Sequence, residues 1–498
     1  MKSAAERAAA GLQGLLGEQR FDAVVIGSGL AGSVAALRAQ QLGCRTLLAD
    51  KAPDGTAAGN TRLSGGALHA AGLFLDEGAA KIAARIDAVT EGQAQPRLRD
   101  AFAAAAGRAL RWLLGWGASF EPRDPRSGFR LLAPWRDLGD VDAWPDRGPQ
   151  RTLTLLQRQF RRHGGVIACG GGVDRLLASP DAGTCGAVVS YRCRRYPVRA
   201  TSVILCDGGF QANDTLVNRF IGRRASRIKL RASPSGQGDA LRMASAFGAA
   251  TTKMPYFYGH LLHRDALGDD RLWPFPTFDS LLPGAAVVTG AGRRLLDEGR
   301  GGIAAANALA RSEDPTGAWL VLDAEAWQRA LLAEQAHRDQ RNVPTPVLTM
   351  RERRGRIAEG DSPVLVGQAM GVDAETLTRE IADLNAAIAS QQAASLPVPR
   401  TQATQLVASA PFRAIPLTPG ITFTMGGLHI DDRARVLDLQ DEPIRGLLAA
   451  GGSAGGLQGC DTGGYVGGLS PALVFGLLAG EQAAEAAGHR AETDVEAP

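Results

Sequence analysis

The alternation of apolar and polar residues predicts β–α–β units at both ends of the chain and a mixed region between them. Near the start, FDAVVIG predicts a buried strand, SVAALRAQQLG an amphipathic helix closed by Gly43, and RTLLADK the next strand. Further strands are predicted at GVIACGG, TCGAVVSYRC, ATSVILCDGGF, FTMGGLHIDDRARVLD and IRGLLAAGG. Further helices are predicted at residues 100–117, at GDALRMASAFGAA, at DAETLTREIADLNAAI behind the N-cap Asp373, and at LSPALVFGLLAGEQAAEAA. Residues 118–148, rich in Pro, Trp and Arg, predict an irregular loop.

Composition narrows the class of protein. A chain of 498 residues with 45% hydrophobic and 21% charged residues fits a soluble protein of two domains. The net charge of +4 is small and the basic pairs are scattered, which indicates solvated surface and no nucleic-acid partner. The six cysteines form no CxxC or CxxCH pattern, which argues against zinc, covalent haem and a disulfide framework. Residues 1–20 predict a short helix and not a signal peptide, and no apolar run is long enough to span a membrane, so we expect a cytoplasmic protein.

The turn after the first strand has the spacing of a dinucleotide-binding fingerprint. In VVIGSGLAG, Gly27 permits the tight turn, Gly29 lets the backbone approach a pyrophosphate, and Gly32 allows close packing of helix and strand. Asp50 ends the second strand eighteen residues after Gly32. Its carboxylate can accept hydrogen bonds from a ribose and disfavours a 2′-phosphate, although a solvated acid at the end of a strand is an alternative interpretation. The fingerprint predicts FAD or NAD as a cofactor.

Two further stretches favour FAD. AGNTRLSGGALHAAG has the density of small residues needed where a flavin lies against backbone, and GLLAAGGSAGG is a strand that ends in small residues. With these stretches, and with VILCDGGF, GQGDALRMASAFGAA, GAAVVTGAGRRLLDEG and TPGITFTMGGLHID, residues 21–487 resemble the fumarate reductase and succinate dehydrogenase flavoprotein family. That family includes tricarballylate dehydrogenases and 3-ketosteroid dehydrogenases.

The resemblance implies an α/β fold with a Rossmann-type FAD-binding domain made from both chain ends and an inserted α+β capping domain. We predict an N-terminal helical extension (1–20), the FAD-binding domain (21–253 and 407–490), the capping domain (254–406) and a flexible tail (491–498). Together, the fingerprint and the resemblance place the FAD against Gly27, Gly29, Leu30, Ala31, Gly32, Asp50, Lys51, Gly59, Asn60, Thr61, Ser64, Gly65, Gly66, Asp207, Gly208, Gly426, Gly451, Gly452, Gly468, Ser470 and Pro471.

Three positions depart from the family pattern. Asp207 stands in a turn that is often Ala-Thr-Gly-Gly in the family. Gly452 stands where an acid often follows the sequence AAG. Either change could weaken binding of the cofactor, or a neighbouring residue could make the missing contact. Asn60 stands where some relatives attach the flavin through a histidine, so the resemblance implies non-covalent FAD. His69, the nearest histidine, is interpreted as structural.

The resemblance also supplies candidate catalytic residues for hydride transfer at flavin N5 with proton movement at the neighbouring carbon. His260 matches a histidine that holds a substrate oxygen, with a structural histidine as the alternative, and Tyr258 and His263 lie beside it in sequence. Arg294 and Glu298 match the G-x-R-x-x-x-E stretch. Fumarate reductases place a proton-donating arginine four residues after that Glu; here the position is Gly302, and Arg300 is the nearest substitute.

The residues that hold dicarboxylates in fumarate reductases are missing from their expected positions. Phe423 stands where a histidine binds one carboxylate, and the turn GCDTGGYVGGLS contains Tyr465 but no arginine. A dicarboxylate without a positive partner would lose several kcal/mol of solvation. Tyr465 resembles the tyrosines that assist α-proton removal in 3-ketosteroid dehydrogenases, although packing at the flavin edge is an equal alternative. Trp273 and Phe275 could form an apolar wall or a plain domain core.

Three hypotheses follow. The first is an FAD-dependent dehydrogenase or reductase acting on a CH–CH bond beside a carbonyl of a relatively apolar substrate, cyclic ones included. The second is a carboxylate enzyme of the tricarballylate or fumarate type, with Arg300, Arg413 or another arginine replacing the clamp. The third is a non-catalytic electron-carrier flavoprotein. The partners expected are a small-molecule substrate and an electron acceptor that could be oxygen, a quinone or a carrier protein.

Overall fold

The computed structural model describes residues 13, 14, 16, 20–52, 59–122, 130–135, 145–179, 183–272, 276–336, 345–402 and 405–489. The predicted tail, most of the predicted N-terminal helix, and the aromatic residues Trp273 and Phe275 lie outside these residues. No helix in the described ranges is both long and apolar enough to cross a membrane.

The strands follow the predicted order. They are β1 (Phe21–Ile26), β2 (Thr46–Asp50), β3 (Val166–Cys169), β4 (Val173–Ala178), β5 (Thr184–Tyr191), β6 (Arg194–Leu205), β7 (Lys229–Leu230), β8 (Thr251–Thr252), β9 (Phe257–His263), β10 (Ala285–Val288), β11 (Trp319–Leu322), β12 (Ala358–Gly360), β13 (Phe412–Thr424), β14 (Gly427–His429), β15 (Arg435–Leu437), β16 (Pro443–Ala449) and β17 (Ala454–Gly455).

The helices include five that the pattern predicted, which begin at Leu30, Pro96, Asp239, Ala374 and Leu469, and others that it did not. In chain order they are α1 (Leu30–Gln41), α2 (Asn60–Leu63), α3 (Ala79–Thr90), α4 (Pro96–Gly115), α5 (Gly148–Arg162), α6 (Asp214–Phe220), α7 (Asp239–Ser245), α8 (Gly302–Arg311), α9 (Ala324–Ala336), α10 (Pro346–Glu352), α11 (Pro363–Met370), α12 (Ala374–Ala389) and α13 (Leu469–Ala486). Asp373 caps α12 as predicted, because its side chain accepts from the backbone N–H groups of Glu375 and Thr376.

Both chain ends build one sheet. Its order is β15-β16-β6-β1-β2-β3; the neighbours from β16 to β3 are parallel, and β15 pairs antiparallel with β16. The β4–β5 hairpin continues from β6. Parallel neighbours bring the carboxyl ends of β1, β2, β6 and β16 to one edge, where the Gly-rich turns follow.

Helix α13, from the C-terminal part of the chain, packs directly on α1. Cβ atoms added at Gly476 and Gly480 would lie 2.6 Å and 2.7 Å from the carbonyl oxygens of Ala31 and Ala35. The two glycines therefore permit the close approach of the helices, and this packing sets the start of α13 beside the start of α1 at the edge of the sheet.

The inserted region has its own sheet, in which β13 is the central strand. Strand β13 pairs with β7, β9, β11 and β12, and β10 pairs with β11. The predicted domain ranges stay a prediction. Strands β7 and β13 fall within the ranges predicted for the FAD-binding domain, yet they are hydrogen-bonded in the sheet of the inserted region. Strand β13 thus connects the two parts of the fold and carries Phe423 near its C-terminal end.

Candidate active site

The turn between β1 and α1 has no room for side chains at two of its glycines. A Cβ added at Gly27, whose φ is +96°, would lie 2.4 Å from the Cys206 carbonyl oxygen, and one at Gly32 would lie 1.8 Å from the Gly27 carbonyl oxygen. A Cβ at Gly29 would meet only the Thr61 hydroxyl, at 3.5 Å. Gly29 therefore borders an open space at the start of α1, where the helix N-terminus favours an anion.

Asp50 holds this turn in place. One carboxylate oxygen accepts from the Ser28 backbone N–H at 2.6 Å and from the Ser28 hydroxyl at 2.7 Å, and the other accepts from the Ala52 N–H at 2.7 Å. A carboxylate has about four acceptor sites, so it can still accept a further hydrogen bond. Asp50 is therefore a built part of the turn and not a merely solvated acid.

A cavity of about 1310 Å³ extends from this turn to an aromatic cluster. The cluster consists of Tyr258, Phe423 and Tyr465. The ring centroids of Tyr258 and Tyr465 are 4.1 Å apart in a stacked arrangement, and Phe423 lies 5.3 Å from Tyr258 and 6.2 Å from Tyr465. Burial raises the pKa of Tyr258 and raises the pKa of Tyr465 well above its ordinary value, so both phenols stay protonated at neutral pH.

His260 connects this cluster to an acid. Its Nδ1 is 2.6 Å from Asp279 Oδ2, and its Nε2 is 3.0 Å from the Tyr258 hydroxyl. The Leu261 N–H donates to Asp279 Oδ1 at 2.9 Å. Side chains from β9 and the turn at residues 279–284 therefore form one hydrogen-bonded chain, and the ring of Tyr465, from the loop before α13, stacks on Tyr258 at its end.

Residues 22–466 of this chain match the protein family described as FAD binding domain. The chain belongs to this family. Its cofactor is FAD, and the predictions of a flavoprotein and of an α/β FAD-binding fold are confirmed.

Relatives and solved structures agree with this assignment. A probable fumarate reductase of Shewanella frigidimarina is 26% identical over 93% of this chain and 74% of its own length. The 4-oxocyclohexanecarboxylate 2-dehydrogenase of Sinomonas cyclohexanicum is 25% identical over 94% of both chains. The 3-ketosteroid delta1-dehydrogenase of Sterolibacterium denitrificans superposes with a TM-score of 0.70 at 18% identity, covering 94% of this chain and 100% of that one. The predicted enzyme class, an FAD-dependent dehydrogenase or reductase of CH–CH bonds, is confirmed.

The cavity fits FAD. Most of the predicted cofactor residues line it: Gly27, Gly29, Leu30, Ala31, Asp50, Lys51, Gly59, Asn60, Thr61, Ser64, Gly65, Gly66, Asp207, Gly208, Gly451, Gly452, Gly468 and Pro471. Among the buried side chains, Gln211 Oε1 on the cavity wall has no hydrogen-bond partner in the described protein. Buried polar atoms of this kind are normally satisfied, and a polar cofactor offers the missing groups.

Three predicted cofactor residues do not line the cavity and instead pack closely against neighbouring segments of the chain. Gly32 packs on the turn, as described above, and a Cβ at Gly426 would lie 2.5 Å from the Lys253 backbone. Ser470 is fully buried within the first turn of α13. For these three, the structure replaces direct contact with close packing.

Two of the three departures from the family pattern, Asp207 and Gly452, have local explanations. Asp207 accepts from the Ala240 N–H at the start of α7 at 2.9 Å and from the Ser453 hydroxyl at 3.1 Å. A Cβ at Gly452 would lie 3.1 Å from the Gly209 nitrogen. The Gly208 N–H donates to the Ser453 hydroxyl at 3.1 Å. Ser453 therefore joins the two Gly-rich turns where these positions differ from the family.

Asn60 connects separate segments across the cavity wall. Its side-chain N–H donates to the Thr422 carbonyl at 2.6 Å, and its Oδ1 accepts from the Ser233 N–H at 2.8 Å. The side-chain amide of Asn60 is not nucleophilic and is already hydrogen-bonded, so it cannot form a covalent bond to the flavin. This agrees with the prediction of non-covalent FAD. His69 lines the cavity, burial lowers its pKa to about 4, and its ring packs against the edge of Tyr465 at 5.4 Å.

Arg294 and Glu298 lie outside the cavity, which corrects their assignment as catalytic residues. Their side chains are 2% and 0% exposed, and Arg294 Nη2 is 2.6 Å from Glu298 Oε2. Arg294 also donates to the Val398 carbonyl, and the Val287 N–H donates to Glu298 Oε1 at 2.9 Å. The Arg294–Glu298 ion pair therefore joins β10 to the segment around residues 398–399, which precedes β13.

His263 and Arg300 have different outcomes. His263 is 1% exposed and does not line the cavity; its Nε2 hydrogen-bonds the Arg356 carbonyl oxygen at 2.9 Å, so the prediction of substrate contact is wrong. Arg300 lines the cavity, with its guanidinium 3.4 Å from Asp297 and its side chain 43% exposed.

Four other predicted site residues also line the cavity, while their roles stay predictions: His260, Tyr258, Phe423 and Tyr465.

Sequence reasoning missed Arg231 and Asp279. Arg231 follows the short strand β7, which β13 brings into the cavity wall, and burial lowers its pKa while Tyr258 and Asp279 raise it. Asp279 comes from the segment TFDSLLPG. Neither residue belongs to a recognisable motif, so only their contacts with β9 and β13 could have found them.

Proposed function

We propose that this protein dehydrogenates, or reduces in the reverse direction, the CH–CH bond beside a carbonyl group of a relatively apolar small molecule, cyclic ketones included. The observation that carries the proposal is the cluster of Tyr258, Tyr465 and Phe423 on the cavity wall. The cluster presents two hydroxyl groups on an aromatic surface. Such a surface favours an uncharged ring with one polar oxygen and disfavours a pair of carboxylates.

The names of the relatives support a ketone. The enzyme from Sinomonas cyclohexanicum is named for 4-oxocyclohexanecarboxylate, a cyclic ketone, and covers 94% of this chain. A relative from Mycobacterium tuberculosis is named 3-oxosteroid 1-dehydrogenase and covers 95% of this chain.

FAD held in this cavity would supply the exchange of a hydride with a substrate carbon. The residues of this chain supply orientation and proton movement. A hydroxyl group of Tyr258 or Tyr465 within hydrogen-bond reach of a carbonyl oxygen would polarise it, and the same pair can accept a proton from the α-carbon if the phenol proton has somewhere to go. Phe423 excludes water from this end of the cavity.

Anaerobic stopped-flow tests the proposal. The oxidised holoenzyme is mixed with cyclohexanone, 4-oxocyclohexanecarboxylate and a 3-ketosteroid in one series, and with succinate and tricarballylate in another. We expect bleaching of the flavin absorbance by at least one compound of the ketone series and none by succinate or tricarballylate. Bleaching by a di- or tricarboxylate alone would refute the apolar-substrate proposal.

A second candidate function, a carboxylate dehydrogenase or reductase, is favoured by one observation. Arg231 and Arg300 both line the cavity and could replace the missing clamp. Arg413, the other candidate, pairs with Glu359 at 2.9 Å and does not line the cavity. Under this alternative, fumarate or succinate binds in the micromolar range in a flavin-difference titration. Arg231→Gln then abolishes that binding, while Arg227→Gln, an exposed control, does not.

The third hypothesis is a non-catalytic electron carrier, and Arg294 and Glu298 do not argue against it because they lie outside the cavity. It is now opposed by the hydroxyl groups and imidazole at the aromatic end. A holoenzyme that no ketone and no carboxylate bleaches, although dithionite reduces it, would favour this hypothesis.

A further inference from the structure

Asp279 stands behind the cavity wall and not in it. It opens a short helical turn, Asp279–Gly284, and its two oxygens contact only the His260 ring and the Leu261 N–H among the hydrogen bonds described above. A carboxylate accepts hydrogen bonds and does not donate them. The proton of a neutral His260 ring therefore lies on Nδ1, and Nε2 presents a lone pair to the Tyr258 hydroxyl at 3.0 Å.

Asp279 also fills the space beside Gly302. A Cβ added at Gly302 would lie 2.0 Å from Asp279 Cγ and 2.2 Å from its Oδ2. Gly302 is the position at which the resemblance to fumarate reductases would place a proton-donating arginine. In this chain a side chain at that position is excluded by the carboxylate that holds His260.

Tyr258 needs such a partner to act on a carbon acid. Burial raises its pKa, Arg231 lowers it, and Asp279 raises it, with burial as the largest cause. Tyr258 and His260 face two further charged or titratable groups besides Asp279. These are Arg231 beside β7 and Tyr465 in the loop before α13, with His69 against Tyr465. A phenol that stays protonated can accept a substrate proton only if its own proton moves to a neighbour.

We propose that Asp279 is a positioning residue for proton transfer, which it serves by fixing His260 as the acceptor of the Tyr258 hydroxyl proton. The inference rests on the proposed function for its substrate, an α-CH ketone. In the step, the α C–H bond breaks and its proton moves to Tyr258 Oη, while the Tyr258 O–H proton moves to His260 Nε2. The electron pair stays on the substrate as an enolate. The imidazolium that forms lies against the Asp279 carboxylate, and no oxidant is consumed.

The tautomer of His260 can be measured without a substrate. Long-range ¹H–¹⁵N spectra of the holoenzyme with ¹⁵N-labelled histidine, assigned with His260→Gln, should give the Nδ1–H tautomer. Asp279→Asn keeps an oxygen for the Leu261 N–H but offers an amide N–H to the ring, so the spectrum should shift toward the Nε2–H form. An Nε2–H tautomer in the wild type, or no change in the variant, would overturn the relay.

A second measurement follows proton transfer alone. The oxidised holoenzyme is incubated with cyclohexanone in D₂O, and ¹H NMR records the loss of α-proton signal. Asp279→Asn should slow enzymatic exchange by about 10² to 10⁴-fold, the upper value being that of the same substitution in a Ser-His-Asp triad. Exchange within threefold of the wild-type rate would overturn the inference.

Two further variants separate positioning from simple structural damage. Gly302→Ala pushes Asp279 aside without removing it and should slow exchange in the same direction. Asp265→Asn is the matched control, because Asp265 lies 3.5 Å from the ring of His263, off the cavity; it should leave exchange and the His260 spectrum unchanged. Absence of exchange with every cyclic ketone tested would refute the proposed function, whereas the tautomer spectra decide the Asp279 contact independently.

Discussion

The clearest test of how the structure revises the sequence-based site is Glu298→Gln. Glu298 is 0% exposed and accepts from Arg294 Nη2 at 2.6 Å and Arg294 Nε at 3.3 Å, and Arg400 Nη1 lies 4.0 Å away. The substitution removes the negative charge between two buried guanidinium groups while an amide oxygen can still accept from the Val287 N–H. Breaking a buried pair in this way costs about 3–5 kcal/mol.

Differential scanning calorimetry of the holoenzyme provides the assay, with FAD content and turnover per bound FAD measured alongside. A loss of this size should lower the Tm of a chain of 498 residues by roughly 3–5 °C. Turnover of the folded fraction should stay within a fewfold of wild type, because Glu298 does not line the cavity. Glu359→Gln is the matched control: Glu359 pairs with Arg413 but is 54% exposed, so its loss should cost about 0–1 kcal/mol.

One result would refute this reasoning. If Glu298→Gln kept the wild-type Tm and FAD content but lost turnover by 10²-fold or more, Glu298 would have to act on the reaction. The assignment as a catalytic residue would then be restored.

Three further predictions concern the cofactor and the cavity. Acid precipitation should release all the FAD into the supernatant, because Asn60 is an amide; flavin that stays on the pellet would contradict non-covalent binding. Phe423→His should not produce a good fumarate reductase, since one imidazole cannot compensate two buried carboxylates, and a kcat/KM for fumarate within tenfold of that for the best ketone would argue against this. Burial raises the pKa of Asp207 from 3.8 to about 6, so the folded state binds more protons and stability should fall by roughly 3 kcal/mol as the pH rises from about 4 past 6. Urea titrations at pH 4 and pH 7 should show most of this fall in wild type and a flatter profile in Asp207→Asn; parallel profiles would contradict it.

The sequence alone determined the cofactor end of this protein. Gly27, Gly29 and Gly32 are three residues of one local turn, and the steric reasons for glycine there depend on the strand and helix that flank them. Asp50 and the Gly-rich run around Asn60 also lie in continuous segments with recognisable spacing. The same local logic predicted the capped helix after Asp373 and the long closing helix.

Only the tertiary structure decided the catalytic end. Arg294 and Glu298 have the spacing of a family motif, but spacing cannot tell whether a charged pair faces a cavity or is buried between β10 and the segment before β13. Conversely, Arg231 and Asp279 carry no motif and come together with Tyr258 and His260 because β7 and β9 pair with opposite edges of β13. Proton transfer requires atoms within about 3 Å, and contacts between residues far apart in the chain are set by strand pairing and packing, not by local pattern.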